Sequence, residues 1–409
     1  MNQVDLFSLV AKAYSDIPDA QLDNESLYQC VVSEAGLSPA ALETKVAIGR
    51  DQAKHSLLKR KIRWHQQTLK HLGIIERVDG QRGIWKLSES AGKKLHRAAD
   101  GVKLVAFSTN LGVAIWGSCF DVFTGLNEPI TLCVTSPPYP LQQPRAYGNP
   151  SEAEYVDFVC RALEPIVKQL APGGSVCLNV SNDIFIKGTP ARSLYRERLV
   201  LALCDRLGLV KMDELIWHNP SKPPGPVQWA SIQRMQLNVS WEPIYWFTND
   251  PLRIRSDNRR VLEKHTARQL QLIAQGGEQR EDEFCDGAYR IRRGSFGNAT
   301  AGKIPKNVLT RGHQCRDSAL YREHAERLDL PVHGAAQPLS IPEFLIRFLS
   351  EPGDLIVDPF GGTVKTGMAA EQLSRRWIVV EWMLQYIRGA AERFRIYPGF
   401  ELHPAMLGV

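Results

Sequence analysis

The chain has 409 residues, 44% hydrophobic and 23% charged, with a net charge of +6. That length suffices for two or three domains and a sizeable core. No apolar run approaches the roughly 20 residues a bilayer-spanning helix needs, and the first residues lack the basic-then-apolar pattern of a secretory signal, so membrane and secreted classes are excluded and a cytoplasmic location is expected. The eight cysteines form no C-x-x-C pair and lie mostly in apolar segments, which predicts reduced core thiols and neither a disulfide frame nor a zinc site.

Residues 1–102 read as a small separate domain. Leu27 to Val32, Ala40 to Ile48 and Ile62 to Leu72 have helical apolar spacing, and the apolar runs on either side of Asp79-Gly80 predict a hairpin. Helices followed by a hairpin is the order of a winged helix, and Arg60 to Leu95 resembles the N-terminal winged-helix module of some Mrr-like restriction proteins. Between Arg50 and Lys70 stand seven Lys or Arg residues and one acid, Asp51. Such a helix suits phosphate contact, and equally a solvated face or a dimer surface.

From Lys103 the pattern changes to buried strands alternating with helical segments, which predicts an α/β domain with a mostly parallel sheet covered on both faces. Val113 to Trp116 is a strand, Gly117-Ser118 a turn and Phe120 to Leu126 a helix. Ile130 to Val134 is a buried strand broken by Ser136-Pro137-Pro138-Tyr139, because consecutive prolines forbid both ladder pairing and helix. The resulting stiff turn presents a hydroxyl, a carbonyl without a competing N–H and an aromatic ring, a set able to hold a flat base carrying an exocyclic amine. A helix from Glu152 to Leu170 precedes the strand Ser175 to Val180, whose end brings Asn179 and Ser181 to the carboxyl edge of the sheet, where doubly wound folds bind ligands. Lys211 to Trp217 and Val239 to Phe247 are expected to form an antiparallel edge pair. Of Trp241, Tyr245 and Trp246, which alternate along it, at least one belongs to the core.

Between Asn249 and Val332 the α/β rhythm stops, with sixteen Lys or Arg against eleven Asp or Glu from Pro251 to Leu330. Composition leaves open a solvated insertion or a nucleic-acid reader. After a helix at Ile341 to Leu349, a strand ends in Asp358-Pro359-Phe360-Gly361-Gly362-Thr363, and glycines at a strand-to-helix turn allow close approach of backbone to ligand. A second strand, Trp377 to Val380, ends in Glu381, where such folds grip a ribose diol.

The pairing of S-P-P-Y with a later D-P-F-G-G resembles the permuted amino-methyltransferases of DNA over residues 103–395. The resemblance implies a Rossmann-like methyltransferase sheet in circularly permuted order, with S-adenosylmethionine as cofactor and double-stranded DNA as partner. It further implies a catalytic half at 103–248, a target-recognition region at 249–332 and a cofactor half at 333–409. Ser136, Pro137, Pro138 and Tyr139 would be catalytic. Asp358, Phe360, Gly361, Gly362, Thr363, Glu381, Trp382, Asn179, Ser181 and Pro338 would serve the cofactor. Arg145, Tyr147 and Gly148 match a loop over the target base, and His333 to Pro338 a segment over the methionine end of the cofactor. Three positions depart from the family pattern: Ser118 stands where an acid is usual, Gly334 where a proline commonly follows the histidine, and Val364 where a glycine is usual. With Ser136 at the head of the motif the resemblance points to cytosine N4; adenine N6, or an inactive DNA-binding regulator, are the alternatives. The absence of any Pro-Cys excludes carbon-5 methylation. The resemblance leaves both monomer and homodimer open.

Overall fold

A computed structural model of the protein describes residues 3–15, 21–48, 53–88, 96–141, 145 and 148–406. Its centre is a ten-stranded mixed sheet. In chain order the strands are β1 Lys103–Ser108, β2 Gly112–Gly117, β3 Ile130–Thr135, β4 Leu170–Asn179, β5 Val210–His218, β6 Trp241–Thr248, β7 Val308–Thr310, β8 Leu355–Asp358, β9 Arg376–Glu381 and β10 Glu401–Leu402. Their order across the sheet is β7-β5-β6-β4-β3-β8-β9-β2-β1-β10. The middle, from β4 to β2, is wholly parallel, so its carboxyl ends share one edge. The flanks β5–β6 and β1–β2 are antiparallel.

Alternation along the central strands explains the two covered faces. Leu132, Val134, Cys177, Ile356 and Val379 join one apolar cluster, while Cys133, Val176, Leu178, Val357 and Val380 join the other. Helices α1 Glu152–Lys168 and α2 Tyr195–Leu207 bury Tyr155, Val159, Leu163, Leu199 and Leu203 on the second face. The first face is covered by α4 Ser340–Leu349, α5 Lys365–Gln372 and α6 Leu384–Ala391. Helix α3 Arg316–Arg327 packs onto α6, with Tyr321 and Ala325 over Gly389. At about 25 cal/mol per Å2 of apolar area, such double coverage is the main source of stability.

The expected antiparallel pair is present and begins at Trp241, with β7 pairing outside it. Tyr245 and Trp246 are buried, Trp246 donating to Ser175 Oγ at 3.0 Å, and Trp241 is half-exposed. The 249–332 stretch holds short turns, the helix Ala267–Ala274 and a hairpin of Asp282–Phe284 with Tyr289–Ile291. Its last part supplies β7 and α3. All eight cysteines are free; Cys285 is exposed rather than buried.

Two N-terminal expectations need correction. The helix predicted from Ala40 to Ile48 lasts only from Ala40 to Glu43, after which Lys45–Ile48 pairs with Ala53–Ser56 as an antiparallel ribbon. The β-branched Val46 and Ile48 favour that state. The basic helix starts at Leu57, not Arg50, capped by Ser56 Oγ accepting from Lys59 N at 3.3 Å, and ends at His71. The hairpin about Asp79-Gly80 forms as read, Ile75–Arg77 with Trp85–Leu87. The apolar cluster of this region continues into that of the sheet, Phe7 meeting His403 edge-on at 5.8 Å.

Candidate active site

The site lies at the carboxyl edge of the parallel strands. β3 delivers Ser136 to Tyr139, β4 ends in Asn179, β8 in Asp358 and β9 in Glu381. Antiparallel pairing to β4 brings the start of β6, with Glu242, to the same place. These segments surround a cavity of about 570 Å3, a size suited to a small-molecule ligand.

Asp358 binds its own surroundings. Its Oδ1 accepts from Thr135 Oγ1 at 2.6 Å and Phe360 N at 3.0 Å, its Oδ2 from Thr366 Oγ1 at 2.7 Å. The carboxylate therefore ties the residue before Ser136 to the glycine turn and to α5. Burial pushes its pKa up to about 6 against the pull of these bonds.

Two glycines shape the turn. A side chain at Gly361 would lie 2.3 Å from Val379 Cγ1, and Gly362 has φ +51° with its N–H donated to Glu381 Oε2 at 2.6 Å. Val364 takes φ +58°, a left-handed conformation costly for a β-branched residue and natural for the glycine usual at this position. Glu381 Oε1 accepts from Met383 N at 2.7 Å, and burial raises its pKa to about 8. Trp382 lines the cavity, with the Arg97 guanidinium 3.9 Å above its ring.

On the opposite wall, Tyr139 OH lies 3.1 Å from each of Ser136 Oγ, Asn179 Oδ1 and Glu242 Oε2. Asn179 Nδ2 donates to Pro243 O at 3.1 Å, which fixes its oxygen toward the tyrosine. Lys222 Nζ pairs with Glu242 Oε1 at 3.0 Å. The phenol pKa is driven well up by burial and by the Glu242 charge, so this hydroxyl keeps its proton.

Of the residues singled out from sequence, Ser136, Pro137, Pro138, Tyr139, Asn179, Asp358, Phe360, Gly361, Gly362, Thr363, Glu381 and Trp382 all line the cavity. Ser181 and Pro338 do not. Ser181 is buried in the turn after β4, its Oγ accepting from Asp183 N at 3.0 Å and its carbonyl from the Tyr195 hydroxyl. Pro338 is buried beneath the start of α4, its carbonyl accepting from Ile341 N at 3.1 Å. Ser118 caps the short helix Cys119–Val122, accepting from Phe120 N at 3.3 Å. Gly334 to Gln337 line the cavity with Arg145; Tyr147 lies outside the described residues. Lys222 and Glu242 stand in two segments, Asn219 to Gly225 and Trp241 to Pro243, that resemble the family's segments beside the target-base pocket, though neither side chain was singled out from sequence; Lys365 was given no role. An acid opening an aromatic strand, and a lysine leading an apolar helix, were the available signals.

A mixed α/β sheet, parallel at its centre, with a glycine turn and a strand-terminal carboxylate beside a proline-stiffened polar turn is an arrangement consistent with a Rossmann-like methyltransferase. Residues 130–392 match the N6_N4_Mtase DNA methylase family, to which the chain belongs. It is similar to the type II methyltransferase M.PvuII of Proteus hauseri, with 32% identity over 293 residues, 71% of this chain and 86% of that protein. It is also similar to M.BglII of Bacillus subtilis, at 22% identity over 64% of this chain and 62% of that protein. A solved structure titled PvuII DNA methyltransferase (cytosine-N4-specific) superposes with TM-score 0.56 and 29% identity, over 72% of this chain and 90% of that one. The protein is thus a DNA methyltransferase, and the cofactor of such an enzyme is S-adenosylmethionine. The cavity fits that group: Gly362 leaves backbone open where a side chain would project toward His333, Glu381 offers acceptors for a diol, and Trp382 offers an apolar plane.

Proposed function

We propose that the protein methylates the exocyclic N4 amine of cytosine in duplex DNA, the base being flipped into the cavity. The observation that carries this reading is that Ser136-Pro137 and the glycine turn line one cavity; similarity to the cytosine-N4-specific PvuII DNA methyltransferase supports the choice of base. Gly361, Gly362 and Thr363 would hold the amino-acid and ribose portion of the cofactor, Glu381 the ribose hydroxyls and Trp382 the adenine. Bound there, S-adenosylmethionine supplies an electrophilic methyl group.

The protein's own task is to make a conjugated amine nucleophilic and to remove its proton. The Pro137 carbonyl and Ser136 hydroxyl accept the two N–H bonds, favouring a tetrahedral nitrogen whose lone pair faces the methyl. Ser136 can donate to Tyr139, and Tyr139 to Glu242, since the phenol has a single proton for its three neighbours. As the methyl–sulfur bond breaks and the N–C bond forms, the amine would turn acidic; its proton would move to Ser136 Oγ while the serine and tyrosine protons each advance one step, the last arriving on the Glu242 carboxylate. The Tyr139 ring remains available to stack on the base.

Residues 1–102 are proposed to act as a winged-helix-like DNA-contacting module, supported by the helix-then-hairpin order and by exposed Arg60, Lys61 and Arg63 on one helix. The 249–332 stretch is proposed to read the target sequence. Its Arg292 and Arg293 are exposed and make no ion pair among the described residues, leaving guanidinium groups available for guanine edges.

Mass spectrometry of nucleosides from treated DNA decides the base: N4-methylcytosine is expected, and N6-methyladenine as sole product refutes the reading. Ser136→Ala should lose about a hundredfold or more of turnover with cofactor affinity unchanged; near-normal turnover removes the serine from the mechanism.

A further inference from the structure

Lys365 opens helix α5 yet is only 3% exposed, and it lines the same cavity as the glycine turn. Its Nζ donates to Gln337 O at 2.6 Å and Ser318 Oγ at 2.5 Å, and lies 4.0 Å from Cys315 Sγ. Among the described residues no carboxylate stands within ion-pair distance of it. The nearby acid, Asp317, has its carboxylate committed to Arg393 at 2.5 Å. Withdrawing an ammonium from water costs several kcal/mol unless an anion compensates, and burial accordingly lowers the Lys365 pKa; a ligand carboxylate beside it would restore the charged form, so a lysine without a carboxylate on a cavity wall marks where a ligand's negative charge belongs.

The cavity is polar in a matching sense. Glu381 sits under Gly362, whereas Lys365, Arg145 and His333 gather about the stretch from Gly334 to Gln337. Burial, followed by the Lys365 and Arg145 charges, drives the His333 pKa down to about 4, so the ring is neutral and leaves Lys365 and Arg145 as the basic groups there. A ligand carrying both hydroxyls and a carboxylate is complementary to these groups.

We infer that Lys365 is the anchor for the carboxylate of the cofactor's methionine portion, acting through a charge-assisted bond while Gln337 O and Ser318 Oγ hold the ammonium in line. This rests on the cofactor placement proposed above. Lys365 is a binding and positioning residue and takes no part in the proton transfer at Ser136.

Calorimetric titration of the full chain with S-adenosylmethionine and with its decarboxylated analogue, which keeps sulfonium, amine and adenosine, separates the possibilities. The wild type should prefer the carboxylated ligand. Lys365→Met should weaken it about ten- to a hundredfold, the range for a charge-assisted hydrogen bond, and leave the decarboxylated ligand unchanged, so that the preference collapses; Lys365→Arg should keep most of it. Unaltered binding of the decarboxylated ligand also reports an intact fold. A preference that survives in Lys365→Met overturns the assignment, as does its absence in the wild type; the latter two results leave the cofactor site standing. Wild-type binding of neither ligand would instead refute the cofactor placement, and the lysine assignment with it.

Discussion

Asp358 and Glu381 show how residue type can be legible while residue role is not. Both acids stand where a cofactor site wants them, yet Asp358 spends its oxygens on Thr135, Thr366 and Phe360 N. Asp358→Ala should strand Thr135 Oγ1 and Phe360 N, Thr366 Oγ1 retaining Val134 O at 3.3 Å, and cost about 1–3 kcal/mol for each donor that stays buried and unpaired, lowering Tm and weakening cofactor binding together. Asp358→Asn, which keeps an acceptor for Thr135, should cost far less by thermal denaturation. Glu381 retains free lone pairs, and hydroxyl donors favour its ionised form. With its pKa at about 8, cofactor affinity should rise as pH climbs from 6 to 8, by up to about tenfold per unit. Glu381→Gln should bind weakly with a flat profile, measured by titration across that range; an unchanged slope would show that another group titrates. Glu242→Gln and Tyr139→Phe should each slow single-turnover methyl transfer by roughly a hundredfold at unchanged cofactor affinity. Normal rates in both variants would mean the proton leaves by water and the relay is unused.

At the level of elements, β3, β8, β9, α1 and α5 were readable because each carries one dominant pattern: a β-branched apolar run, a helical stripe or a glycine turn. The N-terminal ribbon was misread since Ala40 to Ile48 satisfies helical spacing, and only its pairing with Ala53–Ser56 selects the strand. Strand β7, three residues inside a charged stretch, exists because β5 offers an edge. The helix Leu57–His71 keeps its basic character, with Ile62, His65, Gln66 and Leu69 buried and Arg60, Lys61 and Arg63 exposed. Lys59 is engaged by Glu25 and Glu43. Replacing Arg60 and Lys61 by alanine should therefore weaken DNA binding and flatten the salt dependence by about 0.9 in log-log slope for each lost phosphate contact. An unchanged slope together with an altered sedimentation coefficient would identify this face as an oligomer contact.

For the whole molecule, burial raises both site carboxylates, so the folded state holds protons that the unfolded chain releases. The sign follows from linkage: stability is fullest below the ordinary carboxylate range and is lost as pH rises through about 6 for Asp358 and about 8 for Glu381. The cofactor-free enzyme should thus lose Tm between pH 5 and 8, and saturating cofactor should remove part of that loss by favouring the ionised Glu381. Equal slopes with and without cofactor, by calorimetry, would count against Glu381 as the ribose ligand. The sequence by itself determined the sheet's central strands, the two turns and the acids that flank them, because backbone chemistry at proline and glycine and the alternation of apolar residues act over a few positions. Only the tertiary structure decided which polar groups meet. Tyr139 reaches Glu242 across 103 residues of chain, Thr135 reaches Asp358 across 223, and Lys365 has no carboxylate within ion-pair distance among the described residues. Such pairings depend on strand order, which no local pattern encodes, and that order fixes which acid saturates its own fold and which remains open to a ligand.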